Sequence, residues 1–146
     1  MVPGPQIIEN TIRKEVEHEA KKMFERIYSN FSMKHISTLM TFMERFFTNS
    51  YKKVIVNENQ IKKLQALLTS RKGPVIFCPT HRSYVDFLVI TTIMYYHAME
   101  APLICAGEDF LAMPFIGDLL RGSGAFFMRR TFRGDELYKA IFYEYV

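Results

Sequence analysis

Apolar residues recur at three- and four-residue steps through Ile8, Ile12, Val16, Ala20, Met23 and Ile27, with Glu17 and Lys21 paired between them. This spacing predicts an amphipathic helix over residues 7–28. A second, greasier stripe through Met33, Ile36, Leu39, Met40, Met43, Phe46 and Phe47 predicts a helix over residues 31–47 that packs on the first, with the turn at Ser29-Asn30. A Met- and Phe-rich face of this kind serves either as core or as a surface that dips into a bilayer or receives an acyl chain. In the second case Lys52 and Lys53, leading into Val54-Ile55-Val56, lie near lipid headgroups.

Asn57, with Gln60 three positions later, is a capping-box-like start for a helix over Ile61, Leu64, Leu67 and Leu68, which Gly73-Pro74 closes. The short apolar run Val75-Ile76-Phe77-Cys78 then reads as a fully buried strand, residues 83–99 as a helix, and Leu103-Ile104-Cys105-Ala106 as a second strand. Residues 110–121 read as helical with a break at Pro114, residues 125–128 as a third strand, and Asp135 opens a last helix. Alternation of this kind predicts an α/β architecture with an at least partly parallel sheet. The expected organisation is a helical N-terminal region over residues 1–52, followed by an alternating strand-helix core over 53–146. The last helix meets the end of the sequence without a stop signal, so this core is expected to be truncated.

At 146 residues, 49% hydrophobic and 23% charged, the chain has the composition of one domain with a substantial core, which excludes collagen-like and disordered classes. Its two cysteines, Cys78 and Cys105, each sit inside an apolar run and are expected to pack as small hydrophobes in a reducing compartment. No window approaches the roughly eighteen apolar residues of a transmembrane helix, and the first residues lack the features of a secretory signal. The net charge of +4 is uneven: residues 1–72 carry 13 Lys and Arg against 7 Asp and Glu, and the remainder carries 6 against 8. A basic N-terminal half suits either an anionic surface or simply a solvated helical face. The basic residues are not interleaved with aromatics in an RNA-recognition pattern, so no nucleic-acid partner is expected. His18, His35 and His97 lack ligand spacing, so no metal is expected.

The chemistry concentrates in Thr80-His81-Arg82-Ser83-Tyr84-Val85-Asp86. If Cys78 ends a strand, His81 emerges at its carboxyl end, where open α/β sheets bind ligands, and the next helix starts near Ser83. Asp86 then lies about one turn into that helix, within reach of the imidazole. A carboxylate on one ring nitrogen leaves the other to take a proton from a hydroxyl. The alternative is a histidine that merely lines or caps a loop. A second basic site, Arg129-Arg130, follows the run Gly124-Ala125-Phe126-Phe127-Met128 and is either a phosphate clamp or a solvated turn. Gly122 and Gly124 either allow close backbone approach or simply make the turn.

The segments Phe77–Leu88 and Gly124–Phe132, with Ala106-Gly107-Glu108-Asp109-Phe110-Leu111 between them, resemble the first two motif blocks of the glycerolipid acyltransferase superfamily. The resemblance covers residues 54–146; residues 1–50 match only as a helical region. It implies transfer of a fatty acyl group from acyl-CoA, a co-substrate with no further cofactor, to the hydroxyl of dihydroxyacetone phosphate in ether-lipid synthesis. By the same resemblance His81 is the general base and Asp86 orients and stabilises its imidazolium. Arg129 and Arg130 hold the acceptor phosphate, Arg82 and Ser83 lie near the same pocket, and Gly124 and Phe127 shape it. The implied setting is the matrix side of the peroxisomal membrane, with peripheral membrane association and a protein partner in ether-lipid synthesis, although no targeting signal is visible in the sequence. Glycerol-3-phosphate is the alternative acceptor. A non-catalytic module that binds a membrane or a partner through the basic N-terminal helices is the reading from a different class.

Overall fold

The computed structural model describes residues 5–80, 82–83 and 85–146. Three helices come first: α1 (Pro5–Ile27), α2 (Met33–Ser50) and α3 (Glu58–Ser70). They are followed by α4 (Asp86–Tyr96), β1 (Ile104–Gly107), a 3-10 turn (Glu108–Ala112), α5 (Ile116–Gly122), β2 (Ala125–Met128) and α6 (Glu136–Tyr145). The chain divides into two compact units, one of Met1–His35 with Leu103–Val146, the other Ile36–Pro102. This grouping differs from a linear division at residue 52, because the first helix belongs with the last third of the sequence.

In the first unit β1 and β2 run parallel, with Ile104 opposite Ala125 and Gly107 opposite Met128. Ile104, Ala106, Ala125 and Phe127 are buried, the period-two pattern that puts alternate side chains on one face. α1 packs on α6 and β2, where Ile27, Tyr138 and Phe142 form a cluster joined by Met23, Phe126 and Phe132. This packing covers the carboxyl end of the α1 stripe. Ile12 and Val16, earlier on the same stripe, are about half exposed.

Arg121 ties the end of α1 to α5. Its guanidinium donates to the carbonyls of Tyr28 and Arg26, the latter at 3.1 Å, and lies 4.9 Å from the centre of the Phe127 ring. A cation at the last carbonyls of a helix satisfies acceptors that have no partner within the helix. The backbone N–H groups of Asn30 and Ser32 donate to the carbonyls of Arg121 and Gly122 at 3.2 and 2.8 Å, stitching the α1–α2 connection to the end of α5. Gly122 is required there: a Cβ would lie 2.2 Å from Cγ of His35.

In the second unit α3 begins as its sequence predicts, with Asn57 Oδ1 accepting from the backbone N–H of Asn59 and Gln60. Gln65 reaches the carbonyl of His97 at 3.2 Å, and Arg71 pairs with Glu100 at 3.0 Å, joining both ends of the α3 and α4 region.

Three expectations fail here. Residues 75–78 form no strand, and Ile76 is 82% exposed, because among the described residues the one parallel ladder is taken by β1 and β2. Extended backbone without a neighbouring strand has nothing to pair with. The helix expected from Ser83 begins instead at Asp86, after a turn, and ends at Tyr96 with Ala98 in a left-handed conformation at φ 53°. Both cysteines are exposed: Cys78 lies in the unpaired segment, and Cys105 points to the face of β1 opposite Ile104 and Ala106.

Candidate active site

The carboxyl ends of β1 and β2 place Glu108-Asp109 beside Arg129-Arg130. Arg129 is held from three sides. Its Nη1 donates to Asp135 Oδ2 at 2.6 Å, its Nε lies 3.7 Å from Glu108 Oε2, and its guanidinium sits 4.2 Å from the centre of the Tyr138 ring. The Arg129 backbone N–H donates to the Tyr138 hydroxyl at 3.1 Å. Asp135 also caps α6, accepting from the Tyr138 backbone N–H at 2.9 Å. That bond, aided by Arg129, holds the Asp135 carboxyl below the usual range. Burial pushes the Tyr138 phenol up, with Arg129 opposing it.

Glu108 also reaches Arg26 of α1, at 3.3 Å. Arg130 is far more open: its side chain is 86% exposed, with Nε and Nη2 donating to Asp109 Oδ2 at 3.0 and 2.6 Å. Gly124, at φ 103°, turns the chain from α5 into β2, and its carbonyl accepts from Ile104 N–H at 3.0 Å. Phe127 is buried beneath the Arg121 guanidinium, in the core below this edge.

The other candidates belong to the second unit. Asp86 is the first residue of α4, and its Oδ2 accepts from the Ser83 backbone N–H at 2.9 Å. The Asp86 N–H returns a bond to the Ser83 carbonyl at 3.2 Å, and Ser83 Oγ accepts from Val85 N–H at 3.3 Å. These bonds make a compact polar turn in front of α4. A carboxylate in the first turn is also favoured by the helix dipole. Arg82 and Ser83 are exposed. His81 lies outside the described residues. No three His, Cys, Asp or Glu side chains among the described residues are grouped to hold a metal ion.

Sequence reasoning quoted Glu108 and Asp109 but gave them no role, and it missed Arg121, Asp135 and Tyr138 as partners of other residues. The signal for the first pair was available: two acids follow one predicted strand and two arginines follow the next, a match that becomes contact once the strands are parallel and in register.

A mixed helix-and-sheet chain with a parallel ladder and basic residues at its carboxyl edge is the frame in which the comparisons with known proteins stand. The sequence model of the acyltransferase family matches residues 53–146, and the chain belongs to that family. It is similar to the dihydroxyacetone phosphate acyltransferase of Oryctolagus cuniculus, with 50% identity over 104 residues, 71% of this chain and 15% of the relative. The dihydroxyacetone phosphate acyltransferase of Mus musculus is 42% identical over 131 residues, covering 90% of this chain and 19% of the relative. A glycerol-3-phosphate acyltransferase of Pseudomonas putida is 35% identical over 138 residues, covering 94% of this chain and 16% of the relative. The chain thus spans less than a fifth of the length of these relatives.

Proposed function

We propose that the protein carrying this chain transfers a fatty acyl group from acyl-CoA to the hydroxyl of dihydroxyacetone phosphate. The observation that carries this reading is the 50% identity to a dihydroxyacetone phosphate acyltransferase over 104 residues. His81 takes the proton of the acceptor hydroxyl, and Asp86 orients the imidazole and stabilises it once charged. The Asp86 turn supports this role, since a carboxylate fixed by the Ser83 N–H is already held in one orientation. The alkoxide then attacks the thioester directly, and coenzyme A thiolate leaves. Arg130 and Arg129 hold the acceptor phosphate, and Gly124 and Phe127 set the shape of the arginine-bearing edge; Arg82 and Ser83 are the acceptor-binding candidates of the other unit.

Peripheral contact with a peroxisomal membrane, and with a protein partner in ether-lipid synthesis, belongs to the same reading. Support for the membrane contact comes from the segment after α2, where Lys52 and Lys53 are exposed beside Tyr51 (48%), Val54 (51%) and Ile55 (79%). No helix among the described residues is long and apolar enough to cross a membrane.

The test is acyl transfer from labelled acyl-CoA with each acceptor in competition. His81→Ala is expected to lower kcat by about a hundred- to ten-thousand-fold, and Arg130→Gln to raise mainly the acceptor KM. Wild-type rates in His81→Ala reject the reading. The Pseudomonas relative favours glycerol-3-phosphate as the second reading, and preference for that acceptor in the competition would select it.

A further inference from the structure

The last turn of α1 reaches the carboxyl edge of the sheet. Glu108 directly follows β1, and its Oε2 faces two guanidiniums from distant parts of the chain, Arg26 Nη2 at 3.3 Å and Arg129 Nε at 3.7 Å. The first contact is a hydrogen bond, whereas the second is too long for one and acts through charge. Arg26 is set up for this role. It is the basic residue in the last turn of α1, where the helix dipole favours a cation. Its own carbonyl accepts from Arg121 Nη2 at 3.1 Å, which ties that turn to α5.

Arg129 does not need Glu108 to hold its place, because Asp135 at 2.6 Å and the Tyr138 ring at 4.2 Å fix its guanidinium from other sides. The effect of Glu108 on Arg129 is therefore electrostatic. A carboxylate with no other partner at this edge would neutralise Arg129 and repel an incoming phosphate. Arg26 draws that carboxylate to itself and offsets its charge. Resting on the reading of Arg129 as an acceptor-phosphate residue, we propose that Arg26 is a positioning residue of the acceptor site. It engages Glu108, so that Arg129 keeps its charge for the phosphate. The family model matches residues 53–146, and α1 lies outside them. The first helix thus supplies a part of the site that the family match does not reach.

Intact protein carrying Arg26→Gln, Arg26→Lys, Arg129→Gln, or Arg26→Gln together with Glu108→Gln is titrated with inorganic phosphate by calorimetry and assayed for acceptor KM and kcat. Arg26 is 58% exposed, so water screens its contact with Glu108. Arg26→Gln is expected to weaken phosphate binding by about two- to fivefold, the weight of an exposed pair, with the change carried by KM rather than kcat. Arg26→Lys keeps the charge and recovers most of the affinity. Adding Glu108→Gln to Arg26→Gln removes the carboxylate that Arg26 offset and recovers it too, which a merely structural role for Arg26 would not give. The proposal is overturned if Arg26→Gln binds phosphate as the wild type does while Arg129→Gln binds it more weakly. It is equally overturned by a loss that survives the added Glu108→Gln, by one that Arg26→Lys shares in full, or by one carried by kcat. If Arg129→Gln itself leaves phosphate binding unchanged, the acceptor reading of Arg129 falls and the proposal falls with it.

Discussion

Asp135 does two jobs with one carboxylate, capping α6 through Oδ1 and pairing with Arg129 through Oδ2. Its folded-state pKa is depressed from the ordinary 3.8, so the stability it contributes is present above that ordinary value. This contribution is lost as pH falls through the lower folded value. Thermal unfolding followed from neutral to acid pH should therefore show a smaller acid loss of Tm in Asp135→Asn than in the wild type. At neutral pH Asn still caps the helix but cannot pair as a charge, so its Tm should lie modestly below the wild type. An identical pH dependence in the two proteins would show that the pairing contributes nothing. The same scale shows why Arg129 and Arg130, adjacent in sequence and identical in type, are not equivalent: one is packed on a ring between carboxylates, the other pairs with Asp109 on a side chain 86% exposed.

At the scale of elements, the end of α5 and the start of α2 meet through a glycine. Because ring and Cβ atoms of His35 lie 2.2–2.7 Å from where a Gly122 side chain would begin, Gly122→Ala should cost about 1–3 kcal/mol by overpacking, read as a lowered urea midpoint. His35→Ala in the same background should recover most of it, and no recovery would place the strain elsewhere. The unpaired segment 74–80 makes a second prediction. Its amides should exchange with solvent far faster than those of β1 and β2, measured by hydrogen exchange with mass spectrometry; slow exchange at Val75–Phe77 would mean that a strand forms there after all. The starts of α3 and α6 were the most legible, whereas α4 begins at Asp86 rather than at the expected Ser83. Asn57 and Asp135 both cap where the sequence predicts, since a cap is a local bond between a side chain and its own next turn.

For the whole molecule, the basic excess of the N-terminal half has a place to act in the exposed Tyr51–Ile55 segment. If it meets anionic lipid, Lys52→Glu with Lys53→Glu should weaken flotation with phosphatidylserine vesicles by on the order of tenfold or more, at about 1 kcal/mol per lysine near such a surface. The wild type should lose the same binding in high salt. Retention of full binding by the double variant would move the contact elsewhere. The family assignment belongs to this scale too, because it rests on a match running over residues 53–146 rather than on any one pair of residues.

The sequence alone was enough for the presence of the helices, for β1 and β2 and for the caps of α3 and α6, because each depends on a period or a bond spanning a few positions. Tertiary structure decided what depends on neighbours far along the chain. It denied residues 75–78 a ladder, exposed both cysteines, moved Asp86 to the first residue of its helix, and joined α1 to α6 across the length of the chain. It also turned two separate dipeptides, Glu108-Asp109 and Arg129-Arg130, into rungs of one ladder, since only the parallel register of two four-residue strands brings them side by side.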